Sequence, residues 1–194
     1  MPTEAGRTGV VKKRKEHDEG VTMEKAKDRP DVLAAVCGLY CGACSILIGT
    51  AEDPARLKRF AERVHLSEEA VRCHGCRSGK RWAYCDSCKM YACAAEKGID
   101  FCIDCSDYPC DELTRFQAEM PHRLDLWVDL DRIRSVGPGR WVEEVKEKYA
   151  CPRCQVINSA YDLNCRSCGA EPGSEFVANH GQTIERYLEG ANEG

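Results

Sequence analysis

Apolar positions recur with helical spacing along much of the chain. Asp53 is a natural N-cap and Pro54 suits a first helical position. Leu57, Phe60, Ala61 and Val64 then follow at i, i+3, i+4 and i+7, which gives one apolar stripe. Ser67 begins a second short helix, with Glu68 and Glu69 at its positive start. Asp111 opens a helix carrying Leu113, Phe116 and Met120. A further periodic stretch holds Leu126, Leu130 and Ile133, and Gly137-Pro138-Gly139 breaks the chain. Another helix carries Val142, Val145 and Tyr149. Residues 173–194 hold one short helix around Ile184, Tyr187 and Leu188 and otherwise read as a tail.

Two stretches lack such a pattern. Residues 1–30 are polar, charged and aperiodic, as in a disordered tail. The basic run at residues 12–15 reads as solvated, and Met23 offers an alternative start of translation. Residues 73–110 contain no Leu and no Val, and beyond alanine their aliphatic residues are Met90, Ile99 and Ile103. So few apolar side chains cannot offset the entropy of ordering the segment. A structural zinc contributes about 10–16 kcal/mol of apparent folding free energy. The segment is therefore expected to fold around metal.

Composition supplies the metal ligands. The chain has 15 cysteines in 194 residues. Twelve lie in six C-x-x-C pairs, Cys41/Cys44, Cys73/Cys76, Cys85/Cys88, Cys102/Cys105, Cys151/Cys154 and Cys165/Cys168, and Cys37, Cys93 and Cys110 stand near them. The first thirty residues show no apolar signal segment, and no apolar run approaches the roughly 20 residues of a membrane helix. These features predict a cytoplasmic protein with reduced thiols, hence metal ligands rather than disulfides. A net charge of −4 and a pI near 5.8 argue against an electrostatic nucleic-acid binder. Another protein is the expected partner.

The cysteines divide into three constellations. Cys151, Cys154, Cys165 and Cys168, with Asn158 between the pairs, form a four-thiolate set of the kind structural zinc prefers. The set resembles zinc ribbons and the Ran-binding-protein type of zinc finger, with Tyr149 where the latter has Trp. Some fingers of that type bind single-stranded RNA or ubiquitin, but this acidic module lacks the cationic groove RNA requires. In the middle segment, Tyr84-Cys85-x2-Cys88-x2-Tyr91-x-Cys93 matches Phe101-Cys102-x2-Cys105-x2-Tyr108-x-Cys110 at an offset of 17 residues, which predicts two equivalent knuckles. Two four-coordinate sites then follow, either consecutive (Cys73/Cys76/Cys85/Cys88 and Cys93/Cys102/Cys105/Cys110) or interleaved. Tyr91 and Tyr108 are expected to pack over them.

Cys37, Cys41 and Cys44 remain, three ligands short of a fourth. His65, His74, His122, a carboxylate, solvent or substrate would complete that site. The C-x3-C-x2-C spacing equals that of radical S-adenosylmethionine enzymes, but Ala43 replaces their usual aromatic and the chain is too short for their barrel. Zinc on this site competes with a [4Fe–4S] cluster. Asp104, Asp107, Asp111 and Glu112 read as a solvated face and helix start, His74 as a solvent-facing knuckle residue, and His17 and His180 as tail residues. No nucleophile–base motif, phosphate loop or dinucleotide fingerprint is present.

The string CGLYCGAC, then CHGC, C-x2-C-x4-C-AAEKG and C-x2-C-x2-YPC resembles a prokaryotic family of small cysteine-rich proteins known only as a domain of unknown function. The resemblance covers about residues 35–120, and a trailing zinc ribbon accompanies some members. It implies a domain boundary and metal binding, and it assigns no activity. The expected fold is small α+β, mostly α. It comprises a disordered tail (1–30), an irregular cysteine-rich metal-knuckle domain (31–148), a C-terminal zinc ribbon (149–172) and a tail (173–194). The expected function is binding of about three or four zinc ions by an interaction adaptor or accessory subunit without enzymatic activity. An Fe–S redox or radical-enzyme accessory protein is the alternative, and a metal-dependent enzyme at the three-cysteine site a third.

Overall fold

The computed structural model describes residues 30–192, so the N-terminal tail expectation, with His17, lies outside the described residues. Helices follow at Ser45–Ala51 (α1), Pro54–Arg63 (α2), Glu68–Val71 (α3), Ala83–Asp86 (α4), Lys89–Lys97 (α5), Asp111–Ala118 (α6), Leu126–Val136 (α7), Pro138–Tyr149 (α8) and Glu175–Asn192 (α9). Short 3-10 turns occupy Cys41–Ala43, Cys102–Asp104 and Pro121–Arg123. The fold is mostly helical. Among the described residues, β pairing is limited to two isolated bridges, Ala34 with Tyr40 and Ala150 with Ile157.

The local signals act as their chemistry dictates. The Asp53 carboxylate accepts the Arg56 N–H at 3.0 Å and caps α2 behind Pro54. Ser67 accepts the Ala70 N–H at 3.2 Å at the start of α3. The α2 stripe places Leu57 and Ala61 in a small core with Ile46, Val71 and Cys73. Gly49 permits the contact between α1 and α2, because a Cβ there would stand 2.9 Å from the Leu57 nitrogen. Gly137, at φ +81°, ends α7 and admits α8 directly at Pro138, so the expected break is a single residue.

The main core lies beneath the cysteines. Leu126, Leu130 and Ile133 of α7 pack with Trp141, Val142, Val145 and Tyr149 of α8. Phe176, Val177 and Ile184 of α9 belong to the same cluster, as do Ala34, Val36 and Tyr40 ahead of α1. The 173–194 tail expectation is thus corrected. The short helix expected around Ile184, Tyr187 and Leu188 begins earlier, at Glu175, and its buried Phe176 and Val177 join Ile184 in completing the core. The division at residue 149 separates no second core either, since the cluster runs from Ala34 to Ile184. Within it, the Trp141 indole donates to buried Asp129 at 3.3 Å, and Lys148 pairs with Asp125 and Asp129 at 3.0 and 3.1 Å. His180, read as a tail residue, bonds Asp125 at 2.8 Å and packs on Phe176.

The two copies of the 17-residue repeat fold differently after their second cysteines. Tyr91 and Cys93 lie inside α5, whereas Tyr108 precedes Pro109 and Cys110 caps α6. Pro109 stands where the first copy has Ala92, and a proline cannot occupy that helical interior. Tyr91 packs beneath Arg81 and Tyr108 lies edge-on to Trp127.

Phe176→Ala is expected to lower the unfolding free energy by about 3–5 kcal/mol, measured by urea denaturation at fixed metal content; an unchanged midpoint would return α9 to the status of a tail. His122 supplies a pH test. Burial, and then the Arg123 charge, lower its pKa from 6.5 to about 4. The unfolded chain therefore binds the extra proton between those values. The stability gained by keeping His122 neutral is complete above pH 6.5 and is lost as pH falls toward 4, by about 3 kcal/mol. His122→Gln should remove that slope from a comparison of the two proteins across this window.

Candidate metal centre

The four C-terminal thiols converge. The sulfurs of Cys151, Cys154, Cys165 and Cys168 lie within 4.8 Å of one another, with Cys151–Cys168 at 3.7 Å and Cys154–Cys165 at 3.5 Å. Four sulfurs each about 2.3 Å from a common tetrahedral ion stand about 3.8 Å apart. The donor set and its spacing therefore suit a metal ion with all four positions filled.

Two turns of one design build this set. Gln155 and Gly169, both in the left-handed region, return their N–H groups to the carbonyls of Cys151 and Cys165 at 2.9 Å each. The Cys151 and Cys165 N–H groups donate to the Val156 and Ala170 carbonyls at 2.9 and 2.8 Å. The Arg153 N–H points at the Cys151 sulfur at 3.4 Å, and Ser167 does the same for Cys165. Burial opposes ionisation of Cys165, but the N–H groups of Cys168 and Ser167 and the thiols beside it outweigh that and bring its pKa down to about 6. The sequence marked Asn158 by its spacing alone. Fully buried, it donates to the Gly173 and Val156 carbonyls at 2.7 and 3.2 Å and accepts the Arg166 N–H at 3.0 Å, tying the two turns together.

Polar contacts absent from any motif fasten this module to α1 and α2. Arg56 grips Asp162 with both carboxylate oxygens, at 2.9 and 3.0 Å, and donates to Ser45, whose hydroxyl meets Ser159 at 2.9 Å. Arg166 pairs with Glu52. Nothing in the spacing of these residues announces a partner more than 100 positions away.

The other eleven cysteines gather at the opposite end of the chain. Cys93, Cys102, Cys105 and Cys110 line one small cavity of about 160 Å³. There Lys97 donates to the Cys105 sulfur at 3.1 Å and to Asp107 at 2.7 Å. The Asp107 N–H, and then Lys97, hold the Cys105 thiol below its ordinary pKa. Cys37, Cys41 and Cys44 do not stand apart as a three-cysteine site: they mingle with the 73–88 segment. The Cys76 N–H donates to the Cys41 sulfur at 3.4 Å. Burial pushes the Cys85 thiol up to about 12, and the neighbouring thiols of Cys73, Cys44, Cys76 and Cys88 push it the same way. Among the described residues, only the C-terminal four meet at metal-ligand distances all at once.

The histidines offered as fourth ligands fare differently. His65 is exposed in the turn after α2. His122 is occupied by the Tyr161 hydroxyl at 2.6 Å. His74 Nδ1 is buried without a hydrogen-bond partner, so its ring is not the solvent-facing group expected. The carboxylates have structural duties. Asp104 accepts the Phe101 N–H at 3.1 Å, Asp107 pairs with Lys97, and Glu112 pairs with Lys89 and Arg115.

Residues 33–115 match a family model described as a protein of unknown function (DUF3795). No curated protein and no solved structure matches the chain. Among the described residues, no helix is long and apolar enough to cross a membrane.

Asn158→Ala removes three buried hydrogen-bonding partners at once. It is expected to cost about 2–3 kcal/mol and to raise the rate at which the C-terminal four-cysteine set yields metal to a chelator, followed by a chromophoric indicator. Equal release rates in the two proteins would mean that Asn158 does not hold the turns.

Proposed function

We propose that the chain is a multi-zinc protein whose metals hold folded an interaction surface, acting as an adaptor or accessory subunit in the cytoplasm. The observation that carries this reading is the convergence of Cys151, Cys154, Cys165 and Cys168 within 4.8 Å, on turns whose amide groups point at sulfur. Four thiolates fill a tetrahedral ion and leave no position for a reacting water, as in structural zinc sites. The zinc would be held by thiolates alone there and would contribute folding energy rather than chemistry. An interaction role agrees with the engagement of Asp104, Asp107 and Glu112, which cap a turn or pair with lysine. The acidic balance of residues 149–194, three arginines against six carboxylates, favours a protein partner over nucleic acid.

Anaerobic purification followed by metal analysis tests this. A colourless protein with about three or four zinc ions per chain is expected, and its removal by a strong chelator should abolish the cooperative unfolding of residues 73–110 in hydrogen exchange. Brown protein with iron and acid-labile sulfide would overturn zinc in favour of an Fe–S role.

A further inference from the structure

Charge is distributed unevenly along the chain. Residues 54–82 hold eight Lys or Arg against three Glu, a balance of +5 in a chain of net charge −4, so the remaining residues carry −9. Most of these cations are engaged. Arg56 grips Asp162, Arg72 and Lys80 pair with Glu69, and Arg81 pairs with Asp86. Arg77 donates to the Ala34 and Asp100 carbonyls. Lys58, Arg59 and Arg63 are exposed on α2 and form no ion pair among the described residues. Arg59 and Arg63 stand one turn apart on the same side of the helix. The Arg63 guanidinium lies over the Phe60 ring at 5.4 Å. Phe60 meets Trp82 edge-on at 5.2 Å, and Trp82 stacks on Tyr84 at 5.7 Å, with 21° between the ring planes. Phe60 and Trp82 are half-buried, but Tyr84 is 49 % exposed. Its hydroxyl accepts from buried Arg123 at 3.1 Å, which fixes the exposed ring in place.

We propose that Arg59, Arg63, Phe60, Trp82 and Tyr84 form the docking surface for an acidic segment of a partner protein, with carboxylates on the two guanidinium groups and an apolar side chain on the Tyr84 ring. The surface deepens the adaptor reading and rests on it. Arg59, Phe60 and Arg63 belong to α2, which has its own cap and core, whereas Trp82 and Tyr84 belong to the segment expected to fold around metal. Charge complementarity selects the occupant. Arginine offers a carboxylate two parallel hydrogen bonds, and tyrosine, tryptophan and arginine are the side chains that anchor protein interfaces. The anchor here is already fixed, so little ordering opposes binding. A single strand of nucleic acid also seeks cations and rings. Trp82 and Tyr84, however, cover one face of each other, and a polyanion longer than the patch would run onto a surface carrying the remaining −9. A short acidic segment confines its charge to the patch.

Random peptides displayed on phage are selected on the full chain purified with its metal, then resynthesised and titrated by fluorescence anisotropy. The expected peptides are rich in Asp and Glu around an apolar side chain, and they bind more weakly as salt is added. Their affinity should fall about tenfold in the double variant Arg59→Glu/Arg63→Glu. Both positions are exposed, and an unchanged metal content and unfolding midpoint verify that this variant is folded. Tyr84→Ala should weaken binding without altering its salt dependence, and Lys58→Glu, on the other side of α2, should change it less than about twofold. Selection that yields no binder, or peptides without acidic enrichment, overturns the surface. Acidic peptides that bind the double variant equally well overturn it while leaving an adaptor that binds elsewhere. Tighter binding of oligo-dT than of any selected peptide, lost in the same variant, assigns the patch to nucleic acid instead. Chelation is expected to abolish peptide binding; binding that survives it overturns the role of metal in folding this segment and leaves the surface standing.

Discussion

Three stacked aromatic rings hold the cysteine-bearing segments to one core. Tyr40, between Cys37 and Cys41, stacks on Tyr149 with ring centroids 5.9 Å apart, and Tyr149 stacks on Phe176 at 5.0 Å. Trp141 meets Tyr40 edge-on at 6.3 Å, and His180 closes the other end of the row against Phe176. Each ring comes from a different part of the chain: the first cysteine loop, the entry to the C-terminal module and the start of α9. Such contacts contribute roughly 0.5–1.5 kcal/mol each beyond the area they bury. Their greater consequence is positional. Gly42 fits beside the Tyr40 ring only because it lacks a side chain, since a Cβ there would meet the ring at 2.2 Å. The backbone between Cys41 and Cys44 is thereby pressed against the stack, and the direction of its sulfurs is set by the core below.

This dependence explains which features were legible in the sequence. Asp53, Pro54 and the Leu57 stripe describe α2 because cap and periodicity are local properties. The C-terminal four-cysteine set was legible for the same reason: each turn closes within five residues and repeats its bonds in the other. Only the last turns of α9 were legible, at Ile184, Tyr187 and Leu188, because the polar Asn179, His180, Gln182 and Thr183 dilute the apolar signal that would join them to Phe176 and Val177. The 17-residue repeat was visible as letters but not as structure, since one substitution, Ala92 against Pro109, redirects everything after the second cysteine.

Long-range placement was the illegible part. Arg56 and Asp162 carry no mark of each other, and neither do Cys41 and Cys76, whose contact spans 35 positions. Spacing within a C-x-x-C pair says that two sulfurs can reach one ion; it does not say that they do. A pair at the end of a helix can direct its sulfurs apart. Cys41, at the start of a single 3-10 turn, has its sulfur on the amide of Cys76 rather than beside Cys44 alone.

That divergence bears on why the chain spends glycines and amides on sulfur rather than apolar residues on a core. A thiol buried among other thiols resists ionisation, because desolvation and mutual repulsion both favour the proton; burial raises Cys37, Cys41, Cys85 and Cys102 in this way. Backbone N–H groups are the one donor available at every turn without side-chain entropy, and they reach Cys37, Cys41, Cys73 and Cys76. They lower the cost of thiolate but do not remove the repulsion between neighbours. Only a cation among the sulfurs does that. With Met90, Ile99 and Ile103 as the sole aliphatic side chains beyond alanine across residues 73–110, the segment has no alternative means of closing on itself. The order of dependence therefore runs from the aromatic stack, which positions the loop of the first cysteines, through the amides, which prepare their sulfurs, to the metal ions that the multi-zinc reading assigns to the chain.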